Sequence, residues 1–111
     1  MDVTANLEAL IAAGKDDKAL RFALASRYYA AGELDKALGH AEAALRHDAD
    51  YSAAWKLRGK ILADSGRKAQ AAEVYRQGIA AAERHGDRQA AKEMRVFLKR
   101  LERSAEGARP A

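Results

Sequence analysis

The feature that most narrows what this chain can fold into is a self-match at a spacing of 34 residues. Gly32 aligns with Gly66, Ala37 with Ala71, Leu45 with Ile79, Ala44 with Gly78 and Tyr28 with Leu62. That period belongs to a helix–turn–helix hairpin, which cannot bury its apolar face alone and gains stability by stacking on its neighbours. Glycines punctuate the same pattern. Gly14, Gly32, Gly66 and Gly86 each follow one apolar-periodic segment and precede the next, as glycines just past helix ends do. The segments between them predict six helices, near residues 4–13, 17–31, 34–47, 52–65, 68–85 and 88–103. Asp2 or Thr4, Asp17, Ser52 and Asp87 are the expected N-caps of the first, second, fourth and sixth.

Composition agrees with thin, closely packed helices. Of the 54 apolar residues 28 are alanine, and three Ile, three Val and one Thr are too few β-branched residues for a sheet. There is no cysteine, hence no disulfide and no thiolate chemistry, a usage expected of a cytoplasmic protein. The start of the chain has an acid at position 2 and no basic segment, so it does not read as a signal peptide, and no stretch is apolar enough to span a membrane. His40, His47 and His85 are the only histidines; His40 and His47 share a helix face but no third ligand accompanies them. No nucleophile elbow, dinucleotide-binding or phosphate-binding loop is present. The acidic pairs Asp16 and Asp17, and Asp48 and Asp50, sit at helix junctions, where carboxylates cap and solvate helix starts. The expectation is a protein that is not an enzyme and takes no cofactor or metal.

The spacing of these residues resembles the tetratricopeptide repeat (TPR) family. Residues 18–51 supply Leu24, Ala25, Tyr28, Gly32, Ala37 and Ala44 at places 7, 8, 11, 15, 20 and 27 of the family pattern. Residues 52–85 supply Trp55, Gly59, Leu62, Gly66, Ala71, Tyr75 and Gly78 at places 4, 8, 11, 15, 20, 24 and 27. The chain departs from the pattern with Arg21 at place 4, Ala41 at 24 and Ala49 at 32, and then with Arg58 at place 7, where a leucine is usual, and Glu83 at 32. Val3, Leu7, Leu10 and Ile11 fall at places 20, 24, 27 and 28 of a preceding repeat, so the first helix resembles a lone second-type helix. The last resembles a first-type helix with Leu98 at place 7. The resemblance implies an all-α, right-handed superhelical stack of antiparallel hairpins. One domain over residues 1–103 would hold the lone helix 4–13, repeats 18–51 and 52–85 and a capping helix 88–103, followed by a disordered tail at 104–111. Trp55, at a large-residue place, is expected to be largely buried.

The family's groove-lining places also carry over. They assign Phe22, Ser26 and Tyr29 to an aromatic end of a concave wall, and Lys56, Lys60, Arg100 and Arg103 to a cationic centre and far end. The function this implies is a non-catalytic adaptor or assembly factor holding a peptide or protein segment, with an acidic one favoured by the cations. The bland alternative makes the lysines solvated and Phe22 part of the core. The asparagines of carboxylate-clamp TPR domains are absent, Asn6 being the chain's only Asn. A rival function is nucleic-acid or anionic-surface binding through the basic stripe Arg88, Lys92, Arg95, Lys99 and Arg103; the interleaved Glu93 and Glu102 favour a solvated outer face instead. Residues 94–101 of the last helix have an apolar side without an assigned partner, which makes homodimerisation there an expectation as well.

Overall fold

The structure is a computed structural model that describes residues 2–107, with side chains through Ala105. It has six helices: α1 (Val3–Ala12), α2 (Lys18–Ala30), α3 (Leu34–His47), α4 (Ser52–Asp64), α5 (Lys68–Arg84) and α6 (Arg88–Gly107), with no strand among the described residues. All four joint glycines hold positive φ, between 77° and 95°. The backbone closes over each of them. Lys15, Glu33, Arg67 and Asp87 donate their N–H groups to the carbonyls of Leu10, Tyr28, Leu62 and Ala82, five residues back, at 2.8–3.0 Å. Asp2, Asp17 and Asp87 cap α1, α2 and α6, accepting from Ala5, Leu20 and Ala90. Ser52 does not cap α4: Tyr51 stands at that position, and Ser52 is buried with its hydroxyl lacking a protein partner. The last helix runs to Gly107, four residues past the expected end at 103; the remainder of the tail, 108–111, lies outside the described residues.

Helices α2 and α3 pair as one hairpin, α4 and α5 as the next, and α6 closes on α5 and α4. The first-type helices α2, α4 and α6 pack in series, whereas the backbones of α3 and α5 do not come close and only side chains such as Leu38 and Asp35 reach across. The stack therefore curves with α2, α4 and α6 inside and α3 and α5 outside. The core is a single file of side chains, with Leu24, Ala25, Ala37, Ala41 and Ile61 in one cluster and Ala71, Tyr75, Ala82 and Met94 in the next, all fully or almost fully buried.

Two glycines set how closely the helices approach. A Cβ built on Gly59 would lie 2.3 Å from the Tyr75 ring, and one on Gly78 would lie 2.6 Å from the Met94 sulfur and 2.7 Å from Trp55 Cβ. Trp55 itself is half-buried, not largely buried. Its indole N–H donates to the Ala49 carbonyl at 2.7 Å, in the α3–α4 connection, and this holds one edge of the ring at the surface.

Exposed large apolar side chains stand at both ends of the stack, Val3 and Leu10 on the first helix and Val96 on the last. Met94 is buried, and Phe97, Leu98 and Leu101 pack half-buried against the neighbouring cluster, leaving Val96 at 43% exposure. In α1 no residue is buried, and Val3 and Leu10 are 52% and 37% exposed. These are places 20 and 27, the ones that would face a first-type helix preceding α1.

A polar seam holds α1 and the α2–α3 hairpin. Glu8 accepts from the Tyr28 hydroxyl and stands 3.9 Å from His40 Nε2. The His40 ring stacks on Tyr28 at 5.5 Å, and its Nδ1 is 3.1 Å from an Arg21 N–H, which makes Nδ1 the acceptor. Arg21 also grips Asp16 with two hydrogen bonds, and His47 meets the same carboxylate at 2.9 Å. Hydrogen bonds from Arg21 and then His47 hold Asp16 well below the usual carboxylate range. Burial first, then the Arg21 charge, push the His40 imidazole below its ordinary value.

Two outcomes are expected. Gly59→Ala and Gly78→Ala each overpack, and each loses about 1–3 kcal/mol of unfolding free energy in urea, net of any helix-propensity gain. Gly39→Ala, mid-helix with nothing within 4 Å of its added carbon, gains roughly 0.5–1 kcal/mol. The second outcome concerns pH. Because the folded state depresses the His40 pKa, the unfolded chain binds the proton first as pH falls. The His40 contribution is therefore complete above about pH 6.5 and lost as pH drops from there through the folded-state value. The melting temperature of His40→Gln, which keeps an acceptor for Arg21, should fall less between pH 7 and pH 5 than that of the parent chain.

Candidate functional site

On the inner side of the curve, α2, α4, α5 and α6 enclose a depression of about 300 Å³. Tyr29, Lys60 and Arg100, three of the residues expected in the groove, line it together with Asp64, Tyr75 and Phe97. Each is delivered by helical spacing. Lys60 and Asp64 are four apart on α4 and project from one side; Phe97 and Arg100 are three apart on α6. The floor is Tyr75, whose ring is held in place because it fills the space over the Gly59 backbone. Phe97 leans on that ring, with centroids 5.8 Å apart and planes tilted by 39°.

The polar groups fall on two walls. Lys60 Nζ lies 5.4 Å and the Arg100 guanidinium carbon 5.8 Å from the Phe97 centroid, so two cations share one aromatic ring. Among the described residues neither has a carboxylate within ion-pair distance. Opposite them, the Tyr29 hydroxyl donates to Asp64 Oδ2 at 2.7 Å, and this bond, with burial second, pushes the phenol up to about 12. Burial raises the Tyr75 phenol as well. Both tyrosines are therefore neutral donors over the whole physiological range.

The other expected residues stand apart from the depression. Lys56 pairs with Glu93 at 3.0 Å across α4 and α6, and that bond lowers the Glu93 pKa. Phe22 packs half-buried on the Tyr51 ring at 5.3 Å, with much of its surface serving the core. Ser26 is half-buried on α2 and Arg103 is exposed on α6; neither is among the lining residues. Phe97, part of the apolar side of residues 94–101 and not among the expected groove residues, lines the depression. The signal for Phe97 was present: Glu93, Phe97 and Arg100 follow the i, i+4, i+7 spacing of one helix face. Asp64 was signalled by its spacing from Lys60.

The basic stripe of α6 is exposed at Arg88, Lys92, Arg95, Lys99 and Arg103, with Arg95 paired to Glu83. Among the described residues no group of three metal-ligating side chains occurs, and no helix is long and apolar enough to cross a membrane.

No family model matches the chain. A TPR repeat-containing protein of Pseudomonas aeruginosa, PA0015, is 44% identical over 98 residues, 88% of this chain and 93% of that protein. Among solved structures, protein BPP2914 of Bordetella parapertussis superposes with a TM-score of 0.83 at 44% identity, covering 94% of this chain and 90% of that one. A tetratricopeptide repeat domain protein of Salinibacter ruber superposes with a TM-score of 0.73 at 26% identity, covering 78% and 97% respectively. Proteins of this kind are in general non-catalytic scaffolds for protein–protein interaction. With paired helices, glycine joints and close helix contacts following the same 34-residue register, the chain belongs to the tetratricopeptide repeat family.

Proposed function

We propose that this chain is a non-catalytic interaction module that holds an acidic peptide or protein segment in its concave groove. The observation that carries this reading is the convergence of Lys60 and Arg100 on the face of Phe97, above the fixed Tyr75 floor. Two cations with no carboxylate in ion-pair distance among the described residues raise the local potential, while Phe97 and Leu101 offer apolar contact beside them. Tyr29 and Asp64 place a hydrogen-bonded, partly acidic wall opposite. A ligand that suits both sides carries a carboxylate toward α6 and a neutral or donor group toward α2. Lys56, neutralised by Glu93, contributes orientation of α6 more than charge.

The test is calorimetric titration and backbone NMR mapping with short acidic peptides and their amidated counterparts. Exposed charge pairs contribute about 0.2–1 kcal/mol each, so Lys60→Glu with Arg100→Glu should weaken acidic-peptide binding at least threefold or so, with only modest salt dependence in the parent. Resonances of Tyr29, Ala63 and Phe97 should move. Unaltered affinity in the double variant would refute the groove reading. Shifts confined to the outer face of α6, with a steep loss of binding in salt, would replace it with the anionic-surface reading.

A further inference from the structure

The basic stripe of α6 is a surface that the groove does not use. Arg88, Lys92, Arg95, Lys99 and Arg103 follow one another at spacings of 4, 3, 4 and 4 residues, and all five are exposed. At 3.6 residues per turn they fall within roughly 80° of the helix circumference and extend about 22 Å along it. Neither glutamate that interleaves with them in the sequence interrupts that arc. Glu93 lies on the inner side of α6, bonded to Lys56 at 3.0 Å. Glu102 falls just outside the arc, at its edge. Glu83 of α5 pairs with Arg95, and Asp87 is occupied by the Ala90 N–H at the start of the helix. Among the described residues Arg88, Lys92 and Lys99 have no carboxylate within ion-pair distance.

The charge of the whole chain points the same way. Residues 1–51 carry 9 acids against 6 Lys and Arg, while residues 52–111 carry 14 Lys and Arg against 7 acids. The excess of positive charge is thus gathered in the half that ends in α6, in a chain whose pI is about 9.5.

The chemistry of the stripe selects its occupant. Met94, Leu98 and Leu101, the apolar side of α6, pack inward, so the helix has no apolar face to insert into a lipid surface. Only Val96, at one edge of the stripe, is both apolar and exposed, which leaves a folded protein partner without an anchor. A polyphosphate backbone needs neither, because each phosphate neutralised releases counterions and gives affinity without apolar contact. No aromatic side chain lies in the arc to stack on an unpaired base. The major groove of B-DNA admits a helix, whereas that of duplex RNA is too narrow. We propose that the outer face of α6 binds duplex DNA through its phosphates, without reading the base sequence. This surface is separate from the depression around Phe97 and stands whether or not the groove reading holds.

The probe is a fluorescein-labelled duplex of about 20 base pairs and mixed sequence, followed by anisotropy from about 50 to 200 mM salt. Three to five phosphate contacts predict saturable binding whose logarithm falls against log salt with a slope of about −2.7 to −4.5. Lys92→Gln with Lys99→Gln should weaken binding at least tenfold at about 100 mM salt, flatten the slope by nearly two units and leave the melting temperature unchanged. Glu102→Gln should tighten binding, and Lys60→Gln should leave it within about twofold while weakening acidic peptides in the groove. Backbone shifts should centre on Lys92, Val96 and Lys99. No saturable binding at 50 mM salt, a slope shallower than about −1, or equal affinity of the Lys92, Lys99 double variant would overturn the proposal. Tighter binding of phosphatidylserine vesicles or of polyglutamate than of the duplex would overturn it as well, and would assign the stripe to a membrane or to an acidic protein.

Discussion

The contact on which the rest of this structure depends is the seating of Tyr75 over the Gly59 backbone. A ring can lie there only because position 59 has no Cβ; the nearest ring atom would be 2.3 Å from one. That single absence brings α4 and α5 together, and Gly78 lets Trp55 of α4 and Met94 of α6 close on the α5 backbone in the same way. An alanine-rich chain has few large side chains with which to build a core. It compensates by bringing backbones close enough for a single file of them to suffice. Since each hairpin is stabilised mainly by its neighbours, a change in one contact propagates along the stack and not into a separate central core.

The same ring is also the floor of the groove. Phe97 leans on Tyr75, and Lys60 and Arg100 lean on Phe97, so the placement of both cations is inherited from a packing contact. The electrostatics of the groove are decided by which charges are already matched. Lys56 meets Glu93 and is matched; Lys60 and Arg100 meet an aromatic face, which attracts cations weakly and leaves their charge available. Asp64 is engaged by Tyr29, a bond that orients the carboxylate without neutralising it. The groove therefore carries both signs, with Lys60 and Asp64 one turn apart on α4, Arg100 on α6 and Tyr29 of α2 bonded to Asp64.

What the sequence made legible follows from which requirements are local. Positive φ at a helix end is a demand on one residue, so Gly14, Gly32, Gly66 and Gly86 could be placed without any knowledge of tertiary structure. Capping by Asp17 and Asp87 is equally local. Ser52 shows the limit: it has the chemistry of a cap, but the chain enters α4 one residue earlier, and the hydroxyl is buried instead. Side-chain pairings between distant helices were not legible. Lys56 and Glu93 are 37 residues apart, and their bond depends on the rotation of α6 about its own axis. The same rotation decides that Phe97 lines the groove while its neighbour Val96 stays exposed. Exposed apolar side chains stand at both ends: Val96 on α6, whose amphipathic pattern is local, and Val3 and Leu10 on α1, whose exposure is legible only from the repeat register.

Gly59 and Lys60 are neighbours on α4, and the pair joins the packing to the depression. Gly59 admits the Tyr75 ring against the helix backbone, and Lys60, one residue on, lies over Phe97, which leans on that ring. A side chain at position 59 would displace Tyr75 and with it the surface on which Phe97 and Lys60 rest. The placement of the cation is therefore fixed by the same missing Cβ that lets α4 and α5 close on each other.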